Sequence, residues 1–210
     1  MSDRISELKQ DAIVDWVKPG SSVLDLGCGN GGLLARLVSD KEVRAQGIDV
    51  DDGFIQQCVR KGLNALHEPI DDALLDYGDN AFDYAVFNDS LQRAAKKPDT
   101  VLREALRVSD KVIVVFSNFA HYRARWQILA RGRTPVTRSL PYEWYDTPNL
   151  HFLSITDFVA YCHSNGIAIE GSSFFGERGA IRALPNLRAL TSIFLITSAE
   201  NVRSTGGEDV

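Results

Sequence analysis

The stretch Val23-Leu24-Asp25-Leu26-Gly27-Cys28-Gly29-Asn30-Gly31-Gly32 decides how this chain folds. An apolar run closes on an acid, glycines follow at alternate positions, and Leu33-Leu34-Ala35-Arg36-Leu37-Val38 continues as a helix. The pattern is that of a buried strand, a tight turn and a helix start. Gly27 and Gly29 leave no Cβ between the backbone and a ligand. The free N–H groups of the helix start are expected to face that same ligand.

The glycines alone do not specify the ligand. Gly27, Gly29 and Gly32 also satisfy the G-x-G-x-x-G spacing of dinucleotide sites. Asp25 argues for another ligand, because a carboxylate two residues before the first glycine repels a pyrophosphate. S-adenosylmethionine brings a sulfonium and an ammonium instead, and both are attracted to an acid. The other role open to Asp25 is hydrogen bonding to nearby turn amides. Arg44-Ala45-Gln46-Gly47-Ile48-Asp49-Val50 reads as the next strand, and Asp49 ends it where a carboxylate can grip ribose hydroxyls. Asp51 and Asp52 read as caps of a helix through Phe54-Ile55-Gln56-Gln57-Cys58-Val59. Cys28 reads as a small filler of the glycine loop rather than a nucleophile.

The totals bound the possibilities. The chain has 210 residues, 44% of them hydrophobic and 24% charged, enough for one domain with a sizeable core. A formal net charge of -5 argues against a nucleic-acid partner. No apolar run approaches a membrane span, so no membrane association is expected. Met1-Ser2-Asp3-Arg4 lacks the basic-then-apolar start of a secretory signal. Cys28, Cys58 and Cys162 show neither pairing nor metal-ligand spacing, so no metal is expected and a reducing cytoplasm is the simplest setting.

Helical spacing of Ile5, Leu8, Ala12, Ile13 and Trp16 predicts a first helix. Strands and helices then alternate, with strands at 63–66, 82–87 and 111–116 and a helix from Pro98 to Val108. Such alternation predicts an α/β, doubly wound, mostly parallel sheet. Ile167-Ala168-Ile169-Glu170 and Ser192-Ile193-Phe194-Leu195-Ile196-Thr197 lack a clear helix between them, which predicts an antiparallel pair at one sheet edge. The expected whole is a Rossmann-like, seven-stranded sheet with helices on both faces and an antiparallel last strand. It occupies residues 1–200 as a single domain, followed by a flexible tail at 201–210.

An insertion at about 119–153 breaks the rhythm. It carries His121, Tyr122, Arg123, Arg125, Trp126, Arg131, Arg133 and Arg138 with no acid before Glu143. It leaves from the carboxyl edge of the fifth strand, where open α/β sheets bind ligands. Its aromatics read either as cap packing, the stronger reading for Tyr122 and Trp126, or as interface anchors. The arginines read either as a solvated face or as an anion site or surface for an acidic partner.

Asn118-Phe119-Ala120-His121-Tyr122-Arg123, Gly132-Arg133-Thr134-Pro135-Val136-Thr137 and Leu140-Pro141-Tyr142-Glu143-Trp144-Tyr145-Asp146-Thr147-Pro148-Asn149-Leu150-His151 resemble the methionine-biosynthesis protein MetW family. Around them the chain is similar to class I S-adenosylmethionine-dependent methyltransferases, from about Val14 to Thr197. The resemblance implies a cofactor domain for S-adenosylmethionine or S-adenosylhomocysteine. It also implies a partner, a homoserine O-acyltransferase of the α/β-hydrolase type that the protein supports in methionine synthesis. The implied cofactor residues are Asp25, Gly27, Cys28, Gly29, Asn30 and Gly31 in the loop, with Asp49 and Val50 after the second strand. Ile70 and Asp71 follow the third strand, although Pro69 stands where the family's adenine-side acid is expected. Asn88 would border the methionine end. The segment Phe87-Asn88-Asp89-Ser90-Leu91-Gln92 lacks the Asn-Pro-Pro-aromatic motif of amino-group methyltransferases on nucleic acids and protein. Whether any methyl group moves is left open; Tyr142, Tyr145, Asp146 and His151 are the candidate acceptor-side residues of a small-molecule methyltransferase, or else parts of a rigid cap.

Overall fold

The computed structural model describes residues 2–94, 97–137, 140–143, 145–147 and 151–198. Helix α1 (Ser2–Trp16) leads into β1 (Ser22–Leu26), α2 (Gly32–Lys41), β2 (Arg44–Asp49), α3 (Asp52–Arg60) and β3 (Asn64–His67). A short α4 (Ile70–Ala73) and a 3-10 turn precede β4 (Phe82–Asn88), α5 (Leu91–Ala94), α6 (Pro98–Val108) and β5 (Ser109–Ser117). Then come α7 (Tyr122–Arg131), α8 (Ile155–Ser164), β6 (Ile167–Gly176), β7 (Gly179–Ala180), α9 (Pro185–Arg188) and β8 (Thr191–Ser198). The proposed tail, 201–210, lies outside the described residues, as do Arg138 and Trp144.

Local chemistry starts and stops these elements. Asp51 caps α3 by accepting from the Phe54 amide at 3.1 Å, as its place before a helix requires. Ser154 caps α8, accepting from the Asp157 amide at 3.1 Å and donating to the Asp157 carboxylate at 2.6 Å. Pro98 opens α6, where its missing N–H costs nothing. Gly132, at φ +58°, closes α7 in the left-handed region.

The strand order is β3-β2-β1-β4-β5-β8-β6-β7. β1 through β5 pair in parallel, and β8 runs antiparallel to both β5 and β6. The seven expected strands are present, and the two-residue β7 adds an eighth at the edge. β8 is not an edge strand; it lies between β5 and β6. β6 is longer than its apolar run suggests, reaching Gly176 through a bulge between Ile169 and Gly171. No helix among the described residues is long and apolar enough to cross a membrane.

Alternation along each strand builds the core on both faces. Leu24, Ala85, Phe87, Val112, Val114 and Phe116 pack toward α6 and α8. Val23, Tyr84, Val86, Ile113 and Val115 pack toward α1 and α2. The chain goes from β1 to β2 on one side and resumes at β4 on the other. The carboxyl ends of β1 and β4 therefore flank the switch point where such sheets place ligands.

Candidate functional site

The loop after β1 is wired by its own amides. Gly27 and Cys28 both donate to the Ile48 carbonyl, at 2.8 and 3.0 Å, and Gly31 donates to Cys28 at 3.0 Å. Gly29 donates to Asp49 Oδ2 at 2.8 Å, and Gly32 donates to Asn30 Oδ1 at 3.1 Å. Of the helix-start amides expected to face a ligand, that of Gly32 is thus engaged within the loop. Five amides that could have cradled a phosphate already have internal acceptors, so the loop is ill suited to a pyrophosphate.

Three glycines here adopt positive φ: Gly27 at +84°, Gly29 at +53° and Gly31 at +73°. A Cβ on Gly27 would stand 2.5 Å from Ser90 Cβ, and one on Gly31 would stand 2.7 Å from Cys58 Sγ. Both positions are closed by packing. Gly29 differs, because a Cβ there would meet nothing within 4 Å. The space beside the Gly29 backbone is open.

The acids bracket it. Asp25 is 1% exposed, and its Oδ1 is buried with no hydrogen-bond partner. Burial, and secondarily the charge of Asp49, push its pKa up to about 7. Of its two possible roles, turn-amide bonding leaves no trace at Oδ1; an orphaned buried carboxylate oxygen is what a cationic ligand would satisfy. Asp49 accepts from Gly29 through Oδ2 and from the Asp51 amide through Oδ1 at 3.0 Å. A carboxylate has about four acceptor positions, so each oxygen retains one for a hydroxyl.

Around this pair, Val50 is 57% exposed, an apolar surface that could face a base. Ile70 is buried, its Cδ1 3.7 Å from where a Gly27 Cβ would lie. Asn88 ends β4 with its Oδ1 buried and without a partner. Cys28 is a filler: its Sγ would sit 2.6 Å from a Cβ on Gly47, and burial pushes its thiol pKa far up, away from a reactive thiolate. Asp71 instead lines a crevice between α4 and α6 with Lys97 and Glu104.

Two residues that sequence reasoning did not single out join the site. Asp89, in the left-handed region at φ +61°, pairs through Oδ2 with Lys9 of α1, while its Oδ1 is buried without a partner. Asn88 and Asp89 were quoted as a segment, but nothing local announces a partner 80 residues upstream. Gln92 is buried and ties the insertion down. It accepts from the Ser117 amide at 3.1 Å and donates to the carbonyls of Ser117 and His151, at 3.4 and 3.3 Å.

The four acceptor-side candidates differ in burial. Tyr142, Tyr145 and Asp146 are exposed. His151 is half-buried and lines an apolar cleft of about 390 Å³ with Leu91, Leu102, Phe152 and Phe158. Trp126 is 66% exposed, against its reading as cap packing, whereas Tyr122, 47% exposed, rests against the His121 ring 4.5 Å away.

The sequence profile of the family described as "Methionine biosynthesis protein MetW" matches residues 8–196. The "Bifunctional methionine biosynthesis protein MetXA/MetW" of Rhodopirellula baltica is 31% identical over 206 residues, covering 91% of this chain and 33% of that protein. "24-methylenesterol C-methyltransferase 2" of Arabidopsis thaliana is 31% identical over 213 residues, covering 98% of this chain and 47% of that one. The chain thus spans a third to a half of the length of these relatives. A solved S-adenosylmethionine-dependent methyltransferase from Archaeoglobus fulgidus superposes with a TM-score of 0.69 at 11% identity, covering 93% of this chain and 94% of the other. That likeness shows a Rossmann-like methyltransferase fold.

Proposed function

The chain belongs to the MetW family of methionine biosynthesis proteins, and from that premise we propose that it binds S-adenosylmethionine, or S-adenosylhomocysteine, and acts as partner and activator of a homoserine O-acyltransferase of the α/β-hydrolase type. The observation that carries the partner role is the Rhodopirellula relative, whose name joins a MetXA and a MetW function in one chain. Two activities kept together by a covalent link in one organism are good candidates for a non-covalent complex in another.

In the cofactor role, Gly29 leaves room for the ligand, and Asn30 and Gly31 shape the turn beside it. Asp25 and Asn88 offer buried acceptors to its cationic end, Asp49 takes ribose hydroxyls, and Val50 and Ile70 wall the base. The insertion at 119–153 supplies the partner surface. Three buried cysteines without a disulfide accord with a reducing cytoplasm.

The test is homoserine acyltransferase activity with and without the chain, each with and without S-adenosylmethionine. Activation by the chain is the expected result. No activation and no co-elution would sink the partner role.

The Arabidopsis relative, named as a methyltransferase, favours a second reading: methyl transfer to a small molecule. Transfer from a sulfonium needs chiefly in-line positioning, so it does not require a base among the exposed Tyr142, Tyr145 and Asp146. Transfer of labelled methyl groups to cell metabolites, lost in Asp25→Ala, would establish it.

A further inference from the structure

Helix α7 turns its apolar side outward. Of its ten residues only Ala124 is buried, while Trp126 is 66% and Leu129 81% exposed. Tyr122, Trp126 and Leu129 stand at i, i+4 and i+7, which places them in one stripe on one helix face. A helix made for its own fold turns such a stripe inward.

The opposite side of α7 is fastened. Gln127 exchanges two hydrogen bonds with the Val136 backbone, at 2.9 and 3.0 Å. Tyr122 is braced between the His121 ring, 4.5 Å away, and the Arg123 guanidinium, 5.7 Å from its centroid. Arg123 is itself held by Glu177. The exposed stripe is therefore presented on a rigid support, which lowers the entropy lost when a partner orders it.

Charge narrows the partner. The chain carries a net charge of -5, yet residues 119–142 contain arginines and no acid. Arg125 flanks the stripe on α7, and Arg125, Arg131 and Arg133 are all exposed. Exposed arginine beside an apolar stripe, on an acidic protein, complements an apolar groove edged with carboxylates.

We infer that the Tyr122–Trp126–Leu129 face of α7 is the docking surface for the acyltransferase partner, seated as a helix in an apolar, carboxylate-rimmed groove. This inference rests on the partner role proposed above. The Trp is the anchor residue, and the arginines set orientation and the rate of encounter.

The experiment measures binding of the full chain to purified homoserine O-acyltransferase by calorimetry, for the unaltered chain and for variants. Trp126→Ala with Leu129→Ala should weaken binding by roughly 30-fold or more, the size of a hot-spot loss. Arg125→Glu with Arg133→Glu should weaken it by about tenfold and flatten its salt dependence. Val59→Ala, on α3 and 61% exposed, should bind as the unaltered chain does. All variants should keep their melting temperature and their S-adenosylmethionine affinity. If the unaltered chain binds and the Trp126/Leu129 variant binds equally well, docking lies elsewhere and the surface is wrong. No binding by the unaltered chain would overturn the partner role and this surface with it. Concentration-dependent self-association, or binding to anionic phospholipid vesicles, abolished by the same variant would also overturn the inference, by giving the stripe to a second copy or to a membrane.

Discussion

The Asp49 carboxylate accepts the Gly29 amide across 2.8 Å, so the acid that ends β2 holds the shape of the turn that follows β1. One side chain thus organises the cradle and offers its remaining acceptor positions to a ligand. Asp49→Ala should weaken S-adenosylmethionine binding by about 1.5–3 kcal/mol, the usual size of hydrogen bonds to a charged group. Asp49→Asn keeps one carbonyl acceptor and should fall between. Titration calorimetry on the three proteins checks this; an Ala variant with unaltered affinity would remove Asp49 from the site.

Asp25 should make ligand affinity depend on pH. Its pKa is raised to about 7, so in the free protein it is mostly protonated at pH 6 and mostly ionised at pH 8. A cationic ligand binds the ionised form, and apparent affinity should rise about tenfold over that interval. Stability moves the other way. The unfolded chain releases this proton near the model-peptide value of 3.8 and the folded chain near 7. Between those values the native state holds more protons, so stability falls as pH rises, by at most ~4 kcal/mol from this group. Asp25→Asn should abolish both slopes. Denaturation and binding curves at pH 4, 6 and 8 would measure them, and a variant with the parent's pH profile would refute the assignment.

The glycine loop separates packing from ligand space. Gly27→Ala drives a methyl to 2.5 Å from Ser90 Cβ and should destabilise the fold by roughly 1–3 kcal/mol. Ser90→Gly should recover much of the loss in the double variant, because it removes the atom that clashes. Gly29→Ala meets nothing within 4 Å, so only the left-handed backbone is penalised, by about 1 kcal/mol. Its methyl nevertheless enters the open cradle. Ligand affinity should therefore drop out of proportion to stability. Thermal melts with and without S-adenosylmethionine distinguish the two, and equal ligand-induced stabilisation in Gly29→Ala and the parent would show that the cradle lies elsewhere.

The sequence was most legible where one residue acts on its neighbours. The β1–loop–α2 unit, the Asp51 cap and the Pro98 helix start are short-range consequences of residue type. The mostly parallel sheet followed from the alternation of strands and helices, but the place of β8 between β5 and β6 did not. What stayed hidden depends on distant partners. Gly171-Ser172-Ser173 has little strand character of its own; it becomes part of β6 because β8 pairs with it and Trp16 lies over Gly171, within 3.4 Å of where a Cβ would be. Trp126 read as packing because aromatics usually are, and only the outward orientation of α7 shows otherwise. The internal acceptors of the loop amides, Ile48 and Asp49, could not be read locally because they come from the next strand.

The Lys9–Asp89 pair fastens α1 to the turn after β4, and its energy should exceed that of the surface pairs. Its side chains are 15% and 20% exposed, against 58% and 50% for Arg103–Asp99 on α6. Water screens the second pair, which should couple by only about 0.3–0.5 kcal/mol. The first is mostly shielded, and losing Lys9 leaves a carboxylate whose Oδ1 already lacks a partner. A double-mutant cycle of Lys9→Met and Asp89→Asn should therefore give a coupling of about 1–2 kcal/mol. The Lys9→Met single variant should be less stable than the double, because only the single variant keeps an uncompensated acid. It should also exchange the α1 amides faster than the rest of the core, since the helix loses its ion pair to the turn after β4. Equal coupling in the two cycles, measured by urea denaturation, would mean that Lys9 is solvated and α1 is held by its apolar face alone.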